Sequence, residues 1–355
     1  MKTINTIYTD ANDLVKFIEK NEIAKHENLL LQIFTGVCEV LFITKLISTL
    51  KREIPHIKII GSTTDGEIIG STILESSTVL SFSIFEDTKI ATYYSDDINS
   101  GDEKAELFTE QFDKTQKPKV AIVFADGLYT NGETFINILR KYDEKLIVAG
   151  GLAGDNAKFV ETIVFTEDKI ITNGAVFAFL CNDNLIVNTK ANFGWKSIGK
   201  TLKVTKAKDN VVYEIENIKA VDIYKKYLGK DVAEELPKTG IEFPLIIKRN
   251  GLKIARAVLG KNSDGSLVFA GNLVVGDIVT FGYGNVETII NNGSEIYKDV
   301  CSNSVETIFI YSCMARKALM GENISTELNP LSKIAPLSGF FTYGEFYSNS
   351  SSSQK

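Results

Sequence analysis

Three apolar runs in this chain end in small or polar residues and sit in the same succession of segments. They are "LLLQIFTG" (29–36), "KVAIVFADG" (119–127) and "TIFIYSC" (307–313). Each follows a segment with helix-like spacing: "ANDLVKFIEK", "DEKAELFTEQF" (102–112) and "NVETIINNGSEIYKDV". Each of those follows a short strand-like run: "NTIYTD", "KIATYYSDD" and "DIVTFGYGN". After each apolar run comes a second helical segment: "EVLFITKLISTLKRE", "NGETFINILRKY" and "MARKALMGENI". A further strand and a glycine turn close each copy: "IKIIGSTTDGE", "LIVAGGLAGDN" and "IAPLSGFFTYGE". A strand–helix–strand–helix–strand unit repeated in this way is too long for a solenoid. Its helices must cover sheet faces. The expected class is α/β, with repeated units, β-hairpins, mixed sheets covered by helices, and two similar parts.

In the first two copies a β-rich hairpin is expected next, "STVLSFSIFEDTKIATYYS" and "GAVFAFLCNDNLIVNTKANFGW". The third copy has none, because Glu345 runs straight into "FYSNSSSSQK". That predicts an open sheet edge over 338–346, and open edges invite pairing with another chain. A homodimer formed at that edge is the corresponding expectation.

A length of 355 residues suggests two domains, since single cores stop growing near roughly 250–300 residues. "KTLKVTKAKDNVVYEI" reads as a hairpin turned by Asp209-Asn210, and "KAVDIYKKYLG" as a helix stopped by Gly229. The expected division is 1–217, 218–346 and a disordered serine-rich tail, 347–355. Net charge is −6 with both signs interspersed, which argues against a broad nucleic-acid face. No apolar run approaches the roughly 20 residues of a membrane span. "MKTINTIYTDAND" turns polar too early for a secretion signal, so a cytoplasmic protein without a membrane partner is expected. The cysteines, Cys38, Cys181, Cys301 and Cys313, form no C-x-x-C pair, and the histidines are His26 and His56. This spacing gives a zinc site little support, and neither a metal nor another cofactor is expected.

The glycine turns raise the question of function, because ligands of α/β sheets bind at strand exits. "GSTTDGE" has no lysine and carries two carboxylates, so it does not resemble a phosphate cradle. Its glycines, like Gly151 in the second turn, serve sharp turns or close approach of backbone to a ligand. Ser62, Thr63, Asp155, Asn156, Thr342 and Tyr343 are candidates to line a polar pocket. Asn272 in "FAGNLVVGD" is a turn residue whose amide can also recognise a polar ligand. Arg316 falls in the first turn of a helix, where a cation is unfavourable, so a partner is expected. Glu322, Glu327 or a ligand carboxylate would serve, and Arg256 faces the same choice within a strand. For a small zwitterion, Arg316 or Arg256 would take the carboxylate, and Asp126, Asp155 or Glu345 the ammonium. Cys313 opens a helix like a nucleophile, but neither histidine is placed to act as its base, so no enzyme is expected. A cysteine-dependent hydrolase or transferase using Cys313, and a protein-interaction scaffold, are the alternatives.

The stretches "GGLAGDN", "GAVFAFL", "GWKSIGKTLKVTKAKDNVVYEI", "AVDIYKKYLG", "SLVFAGNLVVGD", "YSCMARKALMG" and "GFFTYGEF" resemble, in order, the FIST family of F-box and intracellular signal transduction proteins. The resemblance spans nearly the whole chain. It implies a sensory module for a small ligand, with amino acids as suspected ligands. It also implies a signalling output partner of the histidine kinase, diguanylate cyclase or chemoreceptor type. No F-box-like segment precedes Met1, which favours the bacterial sensor type.

Overall fold

The computed structural model describes residues 1–96, 117–130, 132–249 and 252–347. The helix read over 102–112 and all of the tail beyond Tyr347 lie outside the described residues. The chain divides into two compact units. The larger is built from Met1–Ala191, Ile296–Lys317 and Ile324–Lys355, the smaller from Asn192–Glu295 and Ala318–Asn323.

Helices form where the sequence spacing puts them. Ala11–Lys20 starts at Asp10, whose carboxylate accepts hydrogen bonds from the Asn12 and Asp13 amides at 2.8 and 3.0 Å. It buries Leu14 and Ile18, four residues apart on one face. Val40–Glu53 buries Ile43, Leu46, Ile47 and Leu50 at helical spacing and carries Lys51 and Arg52 in its last turn. Both helices pack on one face of a six-stranded sheet, through Leu29, Leu31 and Ile33 of strand Asn28–Thr35. The alternate residues Leu30 and Phe34 face the opposite way, into a core shared with Val79, Ile122, Phe124, Val176 and Phe340. Strand Asn28–Thr35 is therefore covered on both faces, which is why its sequence is an unbroken apolar run.

Each repeat supplies one parallel pair. Asn28–Thr35 pairs with Lys58–Thr63, Val120–Ala125 with Ile147–Leu152, and Ile308–Cys313 with Leu337–Thr342. A parallel pair needs a long crossover, and the helices Val40–Glu53, Gly132–Tyr142, and Met314–Met320 with Ile324–Ser332 provide it. All three pairs belong to the larger unit. Their aromatic residues meet: Phe34 stacks on Phe340 at 5.2 Å between ring centroids, and Phe124 meets Phe340 edge-on at 5.3 Å.

Three strand pairings differ from the sequence reading. Thr78–Phe85 has both edges occupied, by Lys2–Ile7 and Asn28–Thr35. Lys89–Asp96 therefore pairs with Gly174–Cys181 in a neighbouring five-stranded sheet, and the first expected hairpin does not close on itself. After Cys181, Asn182 accepts from the Asn184 amide at 2.8 Å in a side-chain turn, and no strand follows before Trp195. The edge expected over 338–346 is filled along Leu337–Thr342, while Glu345–Tyr347 is the outer strand of the five-stranded sheet. Leu337–Thr342 is flanked by Ile308–Cys313 and by Glu67–Ile69, and Glu345–Tyr347 pairs with Ile147–Leu152. The first repeat lends the third its missing strand, which removes the ground for self-pairing along Leu337–Thr342.

The smaller unit is one antiparallel sheet. Its strand order is Leu252–Arg256, Leu245–Arg249, Ile278–Gly284, Trp195–Lys208, Val211–Ile215, Leu267–Phe269 and Val258–Lys261, with Ile218–Lys219 beside Val211–Ile215. Asp209, at φ 53°, turns the Trp195–Lys208 and Val211–Ile215 strands into a hairpin. Helix Ala220–Leu228 covers this sheet with Ile223 and Tyr224 and stops at Gly229. The first strand of the third repeat, Ile278–Gly284, belongs to this unit.

Candidate functional site

The C-terminal ends of the three parallel pairs come together and are knitted by their backbones. Thr63 C=O accepts from the Gly154 amide at 2.9 Å, and Ala125 C=O from the Ala153 amide at 2.7 Å. The Asp65 amide donates to Phe341 C=O at 2.9 Å, and the Phe341 amide to Gly66 C=O at 2.8 Å. The Leu152 amide donates to Gly344 C=O at 2.8 Å, and the Tyr343 amide to Leu152 C=O at 3.3 Å. Each turn is thereby bonded to the turn of another repeat. A strand exit needs partners for its last polar groups, and here the other exits supply them.

Most charged candidates at this junction are engaged by their own surroundings. Asp126 is fully buried and accepts from the Leu128, Tyr129, Thr130 and Gly174 amides and from the Thr130 hydroxyl. Asp155 accepts from the amides of Lys158, Phe159, Val160 and Glu161 and from the Tyr343 hydroxyl. Burial pushes its carboxyl up, but these donors outweigh that and hold it below the usual carboxylate range. The same bonds pin a loop in which Asn156, Ala157 and Phe159 all take left-handed backbone angles, at φ 57°, 57° and 54°. Phe159 stacks on Tyr343 at 4.6 Å, and Asn156 donates to Gly36 C=O at 2.8 Å. Arg316 forks onto Glu327, with contacts of 2.5 and 3.3 Å, so the partner its helix position demands is a structural carboxylate.

The turn 63–67 is different. Asp65 is 5 % exposed and Glu67 fully buried, two residues apart. Burial pushes Asp65 up to about 6, against the pull of Lys317 and the Ala157 amide. Burial likewise pushes Glu67 up to about 7, although Thr64 donates to one oxygen and the Ser77 amide to the other at 3.0 Å. Lys317 reaches the same turn from the helix after Cys313. Its Nζ donates to Asp65 C=O at 2.7 Å and meets the Glu75 carboxylate at 2.8 Å. Cys38 lies beside it, its thiol bonded to Thr63 and raised by burial. Two buried carboxyls with raised proton affinity therefore lie beside one amine at this turn.

Family models match nearly the whole chain. The FIST N domain matches residues 30–218 and the FIST C domain residues 220–348. The chain belongs to the FIST family. A search of curated proteins finds no match. FIST domains are sensory domains of signal transduction, and this chain carries both halves. The larger unit draws on both: Lys317 and the 339–345 turn come from the FIST C segment, Asp65 and Glu67 from the FIST N segment.

Within this FIST protein the residues singled out in the sequence separate into groups. Ser62, Thr63, Asp126, Gly151, Asp155, Asn156, Cys313, Arg316, Thr342, Tyr343 and Glu345 all belong to the larger unit, whereas Arg256 and Asn272 belong to the smaller. Ser62, Thr63 and Thr342 are fully buried. Glu345 keeps an exposed face, yet packing raises its carboxyl against the pull of the Cys313 amide and Arg316. Sequence reasoning passed over Asp65, Glu67, Lys317 and Cys38 as site residues. The two carboxylates around Gly66 were the available signal. Among the described residues no group of three His, Cys, Asp or Glu comes together to hold a metal ion, and no helix is long and apolar enough to cross a membrane.

Cys313 is half-buried, and desolvation together with the Glu345 charge pushes its thiol up to about 12, against the Arg316 and Ala315 amides. A thiol this far above neutrality is almost wholly protonated at pH 7 and is a poor nucleophile. His56 Nε2 donates to His26 C=O at 2.7 Å, before the entry of strand Lys58–Thr63 and not at its exit. We expect a mild alkylating reagent at pH 7 to leave Cys313 unlabelled while it modifies exposed Cys301. Peptide mass mapping checks this; selective, stoichiometric labelling of Cys313 would restore a nucleophilic role.

Proposed function

We propose that this chain is a cytosolic sensory module of bacterial type that binds a small zwitterion of the amino-acid class at the junction of its three strand exits. The observation that carries the proposal is the turn 63–67. Asp65 and Glu67 are buried carboxyls held near neutrality beside Lys317, whereas Asp126, Asp155 and Arg316 are engaged by their own surroundings. The ligand ammonium would meet Asp65, and its carboxylate would meet Lys317. Lys317 has an exchangeable partner, because Glu75 is 71 % exposed and such a surface pair holds it weakly. Ser62, Thr63, Asn156, Thr342 and Tyr343 shape the surrounding turns. Binding across turns that come from different repeats would favour one arrangement of them, which is the differential affinity a sensor needs. An output domain or protein of the kinase, cyclase or chemoreceptor class would read that change.

The test is a thermal-shift screen against amino acids, small carboxylates and nucleotides. A ligand at about 100 times its dissociation constant adds roughly 2.7 kcal/mol and raises the melting temperature by several degrees. Asp65→Asn and Lys317→Met are each expected to weaken binding about 5- to 150-fold, the effect of about 1–3 kcal/mol for one lost buried partner. Arg316→Ala should lower the melting temperature of the free protein yet leave the ligand-induced shift in place. Absence of a shift with every amino acid and carboxylate would rule out this ligand class.

A further inference from the structure

A second polar group lies inside the larger unit, on the inner face of its six-stranded sheet. Asn5, Ser81 and Gln32 stand side by side on three adjacent strands, since Ser81 is registered against both Asn5 and Gln32. Their neighbours in sequence, Ile4, Leu80, Phe82, Leu31 and Ile33, pack toward the helices, so these three side chains share the face that carries Leu30 and Phe34. The third repeat lies over this row. Tyr311 donates its hydroxyl to Gln32 Oε1 at 2.6 Å, Ser338 and Ser81 share a hydroxyl bond of 3.0 Å, and Asn5 Nδ2 donates to Leu337 C=O at 3.1 Å. Thr3 and Ser83, one step along, face each other at 3.4 Å.

Two atoms of this row have no hydrogen-bond partner among the described residues: Gln32 Nε2 and Asn5 Oδ1, both enclosed by protein. Gln32 is fully buried. Turning its amide over would leave Oε1 orphaned in place of Nε2, so one atom stays unpartnered in either orientation. The Asn5 amide cannot be turned, because its oxygen would then face Leu337 C=O. Orphaned amide groups in a protein interior are costly, and native interiors satisfy them with a bound partner. No ionised group takes part in the row, so the partner is uncharged. It must accept a bond at Gln32 and donate one at Asn5.

We infer that ordered water occupies this row, one molecule at each amide, as a short chain that runs past the Ser81–Ser338 hydroxyls. Asn5 lies on the edge strand Lys2–Ile7, so the chain reaches inward from the sheet edge to Gln32. Water meets the requirement because one molecule both donates and accepts, and buried waters typically make about three hydrogen bonds. The waters add polar contacts between the first and third repeats beside the aromatic packing of Phe34 on Phe340. A hydrogen-bonded row has one satisfied register, whereas apolar contacts tolerate several, so the waters reinforce the seating that the direct bonds set.

The deciding experiment is a crystal structure of the full chain at a resolution that shows ordered solvent. The expected result is a density peak within about 3.2 Å of Gln32 Nε2 and another within the same distance of Asn5 Oδ1. Crystals of Gln32→Met should lose the first peak and keep the second. Should that variant fail to fold, the wild-type chain decides alone. Apolar contact or protein atoms at both amides would overturn the inference, as would density for a molecule larger than water. Persistence of the first peak in Gln32→Met would remove Gln32 as its holder.

Discussion

Gly339→Ala is expected to prevent the larger unit from folding, and Gly150→Ala to come close to doing so. The two glycines hold equivalent places, each inside the second strand of a parallel pair, registered against Ile310 and Val123. A Cβ at Gly339 would lie 1.8 Å from Ile310 O and 2.7 Å from its carbonyl carbon. At Gly150 it would lie 1.9 Å from Val123 O. The obstacle in both cases is backbone in the middle of a strand, so no rotamer change relieves it. Overpacking a core costs about 1–3 kcal/mol where side chains give way, and more where they cannot. That is a large part of the roughly 5–15 kcal/mol that holds a typical domain together. Gly70→Ala is the comparison. Gly70 has φ +59° and open space around its Cβ position, so it bears only the left-handed penalty of about 1–2 kcal/mol. Denaturant midpoints of the three variants check this; equal losses at Gly70 and Gly339 would contradict the close approach.

Much of this architecture is legible in the chain because the relevant forces are local. The helices over 11–20, 40–53 and 220–228 follow from apolar spacing, from Asp10 as a cap and from Gly229 as a stop. The threefold repeat shows as a recurring order of runs and glycine turns. Strand partnership is different in kind. Nothing within "EDTK" says that Lys89–Asp96 leaves Thr78–Phe85 for Gly174–Cys181, because that choice depends on which edges distant strands have already filled. Likewise, Glu67–Ile69 completes the third repeat across more than two hundred residues of sequence. Pattern fixes which face of a strand is buried, but not its neighbour.

The same distinction governs the junction. The sequence marks Arg316 as needing a partner and offers Glu322 or Glu327, but only the folded chain selects Glu327. It also displays Asp65 and Glu67 openly. Burial raises their carboxyls, and turns of the other two repeats contribute to it. Asp155 illustrates the converse, since a promising ligand residue proves to be the clamp of its own loop.

Glu67→Gln is expected to stabilise the protein at pH 8 and to leave it almost unchanged near pH 4.5. The folded chain holds the Glu67 proton up to about pH 7, whereas the unfolded chain releases it near the ordinary 4.5. Asp65 behaves alike, from 3.8 to about 6. Below the unfolded values both states are protonated and these groups contribute no pH dependence. Between the unfolded and folded values the native state binds more protons, so stability falls as pH rises, and the loss is complete above about 7. For Glu67 the shift corresponds to about 3 kcal/mol at 1.36 kcal/mol per unit. The glutamine amide removes this loss while it keeps the local bonds, because its oxygen can accept from the Ser77 amide and its nitrogen can donate to Thr64 Oγ1. Unfolding free energies of wild type and variant, measured from pH 4.5 to 8, should diverge steadily by roughly that amount. Parallel curves would mean that Glu67 is ionised in the native state throughout. Binding of an ammonium group at Asp65 would draw on the same ionisation, so the thermal shift given by a zwitterion should grow over the same pH range and shrink in Asp65→Asn.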